Sequence, residues 1–397
     1  MLGVYPADVS TPQRNGHPTS RVRPRLLAIS HPAVVSVNQE VYRELTRRGW
    51  DLTIVVPERW RHDFAEGVVE PRALVGLESS LRPTRVALPG RPQRHFYLTS
   101  CRAVCARTRP DVVFIEAESF SLVAAQWSFA LRRRGVPFGV QCAENIDRHL
   151  PAPVRRLRAR VLRDAAFVAA RSESAARLAR GWGAKGDVAL APHAVPAWQT
   201  PPSEADHSSG SSRPFTVGYA GRLVQSKGLI DLLAAVRSLA APVELLLIGA
   251  GELRGQLEGQ PIPGSQVRVL EGLNHDRMAA GYAQMDVLVL PSHTTPTWKE
   301  QFGRVIVEAL WCGVPVVGSD SGEIPWLIEL TGGGLTFTEG DISALAGQLT
   351  RLRESPALCR ELADTGRTAV ERLFSVPAAT DSLERMLLDG ASRAHSG

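Results

Sequence analysis

Two stretches of this 397-residue chain combine residue types suited to gripping an anion. The first runs from Gly218 to Gly228, between an apolar run and a helical pattern. Small residues at a strand end, Gly221 among them, let the backbone approach a ligand closely. Arg222 offers a planar fork of donors and Lys227 a point charge, a pairing suited to a diphosphate. The plainer reading is an ordinary strand–turn–helix connection with two exposed bases. No GxxxxGK[ST] run occurs, so this is not a P-loop. The second stretch places Glu300 in a loop, then Gln301, Phe302, Gly303 and Arg304, with Glu308 eight residues after Glu300 inside a predicted helix. The backbone N–H groups of Phe302, Gly303 and Arg304 are expected to point out of the helix N-terminus, which favours an anion. Two carboxylates beside a diphosphate make electrostatic sense only if they bind hydroxyls. Glu300 would meet a sugar attached to the anion, and Glu308 a diol such as a ribose. The plainer reading, two solvated glutamates, sits badly with the apolar residues around Glu308.

Together, Arg222, Lys227, Phe302-Gly303 and the Glu300-x7-Glu308 spacing resemble the retaining GT-B glycosyltransferases of family GT4. The likeness extends to DVLVLPS before the second motif and CGVPVVGSDSGEIPWLI after it. It is close over most of 215–330 and only one of layout in the first half. The resemblance implies a GT-B fold, with the acceptor held by the first domain and a nucleotide sugar (UDP or GDP) by the second. Arg222 and Lys227 would clamp the diphosphate, Glu308 the ribose and Glu300 the donor sugar. The Phe302 and Gly303 amides would assist, and Leu273 and Asn274 would lie beside the base. Retention of anomeric configuration is likewise implied by the family alone. The chain departs from the pattern in two places. His31 to Asn38 stand where many relatives carry a Gly-Gly pair, leaving His31 and Asn38 as candidate acceptor contacts. Gln141 to Asn145 replace a strand ending in histidine near the reacting centre, so Glu144 or Asn145 is expected there, with His31 and His193 as other polar candidates.

The inferred reaction transfers a hexose-like sugar to a small-molecule, lipid-linked or glycan acceptor. Two rivals remain open: a non-catalytic nucleotide-sugar binder, and another GT-B reaction such as sugar-nucleotide epimerisation or phosphorolysis. No cofactor is expected beyond the sugar nucleotide as co-substrate. No compact DxD-type cluster is evident, so metal-independent transfer is expected; Asp320-Ser321-Gly322-Glu323 reads as a loop leading into a helix.

These residues need strands to hold them. Apolar runs at 26–30, 51–57, 111–118, 137–144, 165–172 and 187–195 alternate with helical patterns, which implies a parallel, doubly wound α/β sheet. A Pro/Ser/Gly-rich stretch at 198–214 follows, and the alternation then resumes at 215–221, 243–251, 267–272, 286–292 and 315–320. Two Rossmann-like domains facing a cleft are expected, at 23–198 and 214–375, joined by a linker at 199–213. A disordered tail is expected at 1–22, and a helix at 376–391 that packs back on the first domain.

Charge divides with the domains. Residues 1–200 carry 30 basic and 17 acidic side chains, a balance of +13; residues 201–397 carry 16 and 23, a balance of −7. Basic residues are not interleaved with aromatics, so nucleic acid is not an expected partner. The helix pattern around Val154 to Arg163 is basic, with Val154, Leu157, Val161 and Leu162 on one side. It suits either weak peripheral contact with an anionic membrane or packing with an arginine-lined outer face. Five scattered cysteines without CxxC or CxxH pairs, and a first segment unlike a signal peptide, fit a cytoplasmic protein. Oligomeric state is not legible.

Overall fold

The computed structural model describes residues 24–61, 67–196, 198, 214–240, 242–262, 264, 266–271 and 275–393. The expected tail, the expected linker, and Leu273 and Asn274 lie outside them.

The first half forms a seven-stranded sheet from β1 (Arg25–Ser30), β2 (Asp51–Pro57), β3 (Leu81–Thr84), β4 (Val112–Glu118), β5 (Phe138–Cys142), β6 (Phe167–Ala170) and β7 (Asp187–Leu190). Their order is β7-β6-β5-β4-β1-β2-β3. The second half forms a six-stranded sheet from β8 (Phe215–Ala220), β9 (Val243–Ile248), β10 (Gln266–Leu270), β11 (Val287–Leu290), β12 (Val316–Ser319) and β13 (Gly334–Phe337), in the order β10-β9-β8-β11-β12-β13. Every pairing in both sheets is parallel. Central strands such as β1 and β11 are buried on both faces, so they read as unbroken apolar runs rather than as alternation. Strand order reverses beside β1 in one sheet and beside β8 in the other. Ligands bind outside the carboxyl ends of strands at such reversals.

Seven helices matter to the argument: α1 (Glu40–Arg47), α2 (Leu122–Arg132), α3 (Ala152–Asp164), α4 (Leu229–Arg237), α5 (Arg304–Trp311), α6 (Pro356–Phe374) and α7 (Val376–Arg393). Ser121 caps α2 by accepting a bond from the Ala124 amide at 3.1 Å. The last helix, α7, covers the first domain's sheet. Its Leu383, Met386 and Leu387 share one core cluster with Leu26, Ala28 and Phe114. The Trp50 indole donates to Glu384 at 2.8 Å, and Arg48 pairs with the same carboxylate at 2.8 Å.

Two features depart from the simple alternation of strands and helices. After β1 the chain makes two 3-10 turns, Pro32–Val34 and Ser36–Gln39, before α1 begins. The edge strands β3 and β13 escaped the pattern because they are short, half-exposed and, in β3, contain a proline. Of the two readings of α3, packing holds for Val161 and Leu162, which are buried, while Val154 and Leu157 are half-buried; buried Arg158 stacks over the Trp182 ring at 3.9 Å. The helix is packed, with its other arginines outside. Among the described residues, no helix is long and apolar enough to cross a membrane.

Candidate functional site

Backbone geometry delivers the first anion-binding candidates. After β8 the chain turns at Gly221, where φ is +147° and an added Cβ would stand 2.7 Å from the Tyr219 hydroxyl. That hydroxyl donates to the Arg222 carbonyl at 2.7 Å, holding the turn. A 3-10 turn, Gln225–Lys227, then ends at Gly228 with φ +67°; a Cβ there would lie 1.8 Å from the Pro291 carbonyl oxygen. Only glycine allows the two loops to close so tightly. Their contact sets Lys227 beside the loop that follows β11.

There Lys227 meets Glu300. The Nζ–Oε2 distance is 2.5 Å, and both side chains are 12% exposed. Ser292, just beyond β11, donates to the same carboxylate oxygen at 3.0 Å, and the Lys227 ammonium lies 4.6 Å from the centre of the Trp298 ring. Removing one partner of a pair this enclosed leaves a charge stranded, which typically costs about 3–5 kcal/mol. The Glu300 backbone is fixed as well. Its carbonyl accepts from the Asn145 side-chain amide at 2.7 Å and from the Glu323 N–H at 3.0 Å. Gly322 approaches so closely that a Cβ would lie 2.1 Å from the Glu300 carbonyl oxygen. The Asp320–Glu323 loop thus braces Glu300 as well as leading into the helix Ile324–Thr331.

Two residues past Phe302, α5 begins at Arg304. Its N-cap, Gly303, has φ +72° and makes no side-chain cap bond, so the helix opens on backbone alone. Phe302 is buried against His193 and Phe374, with ring centres 5.5 and 6.0 Å apart, while Gln301 is exposed. Glu308 is 4% exposed. Its Oε1 lies 2.9 Å from Arg304 Nε, and its Oε2 accepts from the Tyr282 hydroxyl at 2.7 Å. Burial pushes its carboxyl up, and the Arg304 charge opposes that shift. Both Glu308 oxygens therefore meet protein donors, so a diol would have to use the lone pairs that remain.

The first domain contributes unequally. Asn145 reaches across the cleft to Glu300, whereas Glu144 turns away to pair with Arg148 at 2.7 Å. Of those two candidates, the structure brings only Asn145 to the donor-side residues. Asn38 also bridges the domains: its amide donates to the Pro32 carbonyl at 2.9 Å, and its oxygen accepts from Arg304 at 3.2 Å. His31 is enclosed by Trp60 and His95, both with ring centres at 5.1 Å. His193 stands near Arg171 and Arg304; burial first, then those two cations, hold its imidazole well below its ordinary pKa. It is a neutral group at the cleft.

Several residues at this cleft gave no signal in the sequence. Arg171 pairs with Glu116 at 2.7 Å behind the cleft floor, and Glu116 also accepts from Ser30 at 2.6 Å and Tyr42 at 2.7 Å. Glu118 accepts the amides of Ala143 and Glu144 at 2.7 and 3.1 Å, and burial pushes its carboxyl up to about 7. Two acids at the end of the otherwise apolar β4 were the available sign. Tyr282 carried none, because it lies outside both motifs; Ser292 closes the DVLVLPS run, whose sequence does not show that its hydroxyl reaches Glu300. Among the described residues, no group of three or more His, Cys, Asp or Glu side chains is arranged to hold a metal ion.

Comparison with known proteins adds independent evidence. Residues 33–205 match the model of the glycosyl transferase 4-like domain, and residues 203–369 match that of glycosyl transferases group 1. The chain is 27% identical over 180 residues to the capsular polysaccharide biosynthesis glycosyltransferase CapM of Staphylococcus aureus, covering 43% of this chain and 45% of that protein. It is 31% identical over 172 residues to an MMP alpha-(1->4)-mannosyltransferase of Mycolicibacterium hassiacum, covering 42% and 41%. The chain thus spans less than half the length of these curated relatives. The sucrose-phosphate synthase of Thermosynechococcus elongatus aligns with TM-score 0.67 at 20% identity, over 92% of this chain and 98% of that one. Anabaena HepE in complex with UDP aligns with TM-score 0.67 at 20% identity, over 92% and 100%. These solved structures share the two-domain GT-B fold. With one family model on each domain and this fold around the cleft, the chain belongs to the GT4 family of GT-B glycosyltransferases.

Proposed function

We propose that this protein transfers a hexose-like sugar from a UDP- or GDP-sugar to a small-molecule, lipid-linked or glycan acceptor, with retention of anomeric configuration. The observation that carries this reading is the enclosed Lys227–Glu300 pair beside the uncapped mouth of α5. In the unliganded protein each neutralises the other. An incoming diphosphate competes for Lys227 and meets Arg222 and the α5 dipole. Glu300, released from its partner, is then free to accept hydrogen bonds from the sugar hydroxyls. As the glycosyl bond breaks, negative charge grows on the leaving phosphate, where these fixed cations and the helix mouth stabilise it. Transfer is expected to need no metal ion, because Arg222 and Lys227 supply the positive charge. In a retaining reaction the acceptor attacks from the leaving group's own side, and the departing phosphate is the nearest base for its proton.

A thermal-shift panel of UDP, GDP and dTDP, each free and as its sugar conjugates, tests the reading. One family of sugar nucleotides should stabilise the protein more than the others. Incubation of the best donor with candidate acceptors and a chelator should then yield a glycosylated product. Donor binding without transfer to any acceptor would favour a binding protein. Donor turnover without an acceptor product would favour epimerisation or phosphorolysis.

A further inference from the structure

Single exposed apolar side chains are unremarkable on a protein surface, but a contiguous group beside a groove is not. Such a group lies on the first domain, away from the donor residues. A groove of about 560 Å³ runs between α2 and α3, lined by Phe96, Leu122, Phe129 and Leu157. Phe96 is 37% exposed, Leu122 43% and Phe129 52%. Leu98, 58% exposed, extends the group. It shares the outward side with Phe96, because Tyr97 between them turns inward and Gln126 of α2 grips its backbone through bonds of 3.0 and 2.7 Å.

The surroundings of this ridge are basic. The Arg133 guanidinium lies 4.4 Å over the Phe129 ring. Arg132 and Arg160 line the groove, and exposed Arg156 and Arg163 follow on α3. Asp164 is the only carboxylate in the lining, and Arg132 donates to it at 3.3 Å. An apolar ridge collared by long cationic side chains matches the boundary between acyl chains and anionic headgroups. Arginine stems can lie along the apolar surface while their heads reach outward to phosphate. A soluble acidic partner would be met by the collar alone and would leave the ridge without a purpose. The Leu122 end of the ridge is the one nearest the cleft, because α2 begins four residues after β4 ends at Glu118 and then runs back along the sheet.

We propose that the Phe96–Leu98–Leu122–Phe129 ridge and its arginine collar dock this protein on an anionic membrane surface, with the cleft beside the bilayer. The proposal goes beyond the transfer reaction and stands whichever donor is used. Co-flotation of the full chain with phosphatidylcholine vesicles, with and without phosphatidylglycerol, tests it. Partition should be strong on the anionic vesicles at low salt, weak on the neutral ones, and reduced by added salt. A Leu98→Glu/Phe129→Glu variant should bind roughly tenfold or more weakly. An Arg156→Glu/Arg160→Glu variant should lose affinity to a similar extent, together with the salt dependence. Leu388→Glu, at an exposed apolar position on α7, should behave as wild type. Absence of flotation on anionic vesicles at low salt would overturn the proposal. So would unaltered flotation of both double variants. Self-association in solution that the Leu98→Glu/Phe129→Glu change abolishes would instead assign the ridge to a second copy of this chain.

Discussion

Lys227 and Glu300 restrain one another before any ligand arrives, so their substitutions should not be mirror images. Lys227→Ala or Arg222→Ala removes a charge-assisted contact worth about 1.5–3 kcal/mol, so free nucleoside diphosphate should bind roughly tenfold to hundredfold more weakly. Glu300→Ala unties Lys227, so the same nucleotide should bind equally well or more tightly while the sugar-bearing donor loses affinity. Calorimetric titration with both ligands measures the difference; parallel losses in both variants would defeat the division of roles. Glu118 offers a separate test by pH. The folded protein holds its proton up to about pH 7, whereas the unfolded chain releases it near the ordinary carboxylate value of about 4.3. Between those values folding takes up a proton, so this group's contribution to stability falls as pH rises and levels off above about 7, a change on the order of 3–4 kcal/mol. Glu118→Gln should flatten that slope in urea titrations from pH 5 to pH 8, and parallel curves for the two proteins would refute the assignment. Glu118 was hard to see in advance because its shift comes from burial, which no local spacing reveals; the amides of Ala143 and Glu144 pull the other way. The two motifs that carry Lys227 and Glu300 were legible, and the fold brings those two side chains together.

Loops that meet through glycine set the site's accuracy. At Gly322, φ is +60° and an added methyl would overlap the Glu300 carbonyl. Gly322→Ala should therefore displace the Glu300 loop and disturb the bonds from Asn145 and the Glu323 amide. The expected result is a raised KM for the sugar donor, with free nucleotide affinity unchanged and a modest loss of melting temperature. An unaltered KM would show that the loop yields at no cost. Elements of this kind sort by how well sequence exposes them. Buried central strands such as β2 coincide with the apolar run 51–57, since burial on both faces leaves no room for polar interruptions. The edge strands β3 and β13 carry mixed residues, and α6 lies beyond the last motif, so neither announced itself. In α3 the apolar side was visible, but whether it faced lipid or core was decided by packing that periodicity does not encode.

On the scale of the whole molecule, side-chain bonds among the described residues cross the cleft from Asn145 to the Glu300 carbonyl and from Arg304 to Asn38. An Asn38→Ala/Asn145→Ala variant should hold the domains less firmly together. Small-angle scattering of the unliganded protein should show a larger radius of gyration, and donor should be lost to water in a greater fraction of turnovers. Scattering curves that superimpose on wild type would mean that other contacts keep the cleft shut. The two-domain plan itself was legible in the repeated strand–helix alternation and the composition break near residue 205. The cross-cleft bonds were not, because nothing in Asn38 or Asn145 distinguishes a bridge between the domains from a contact with substrate.

The return of α7 to the first domain has a mechanical corollary. The polypeptide passes between the lobes once after Val195 and again beside Phe374, and the two passages are fastened by the Val195 amide donating to the Phe374 carbonyl at 2.7 Å. A body tethered at a single point can swivel in any direction. One tethered along a paired edge is confined to swinging like a book cover about its spine.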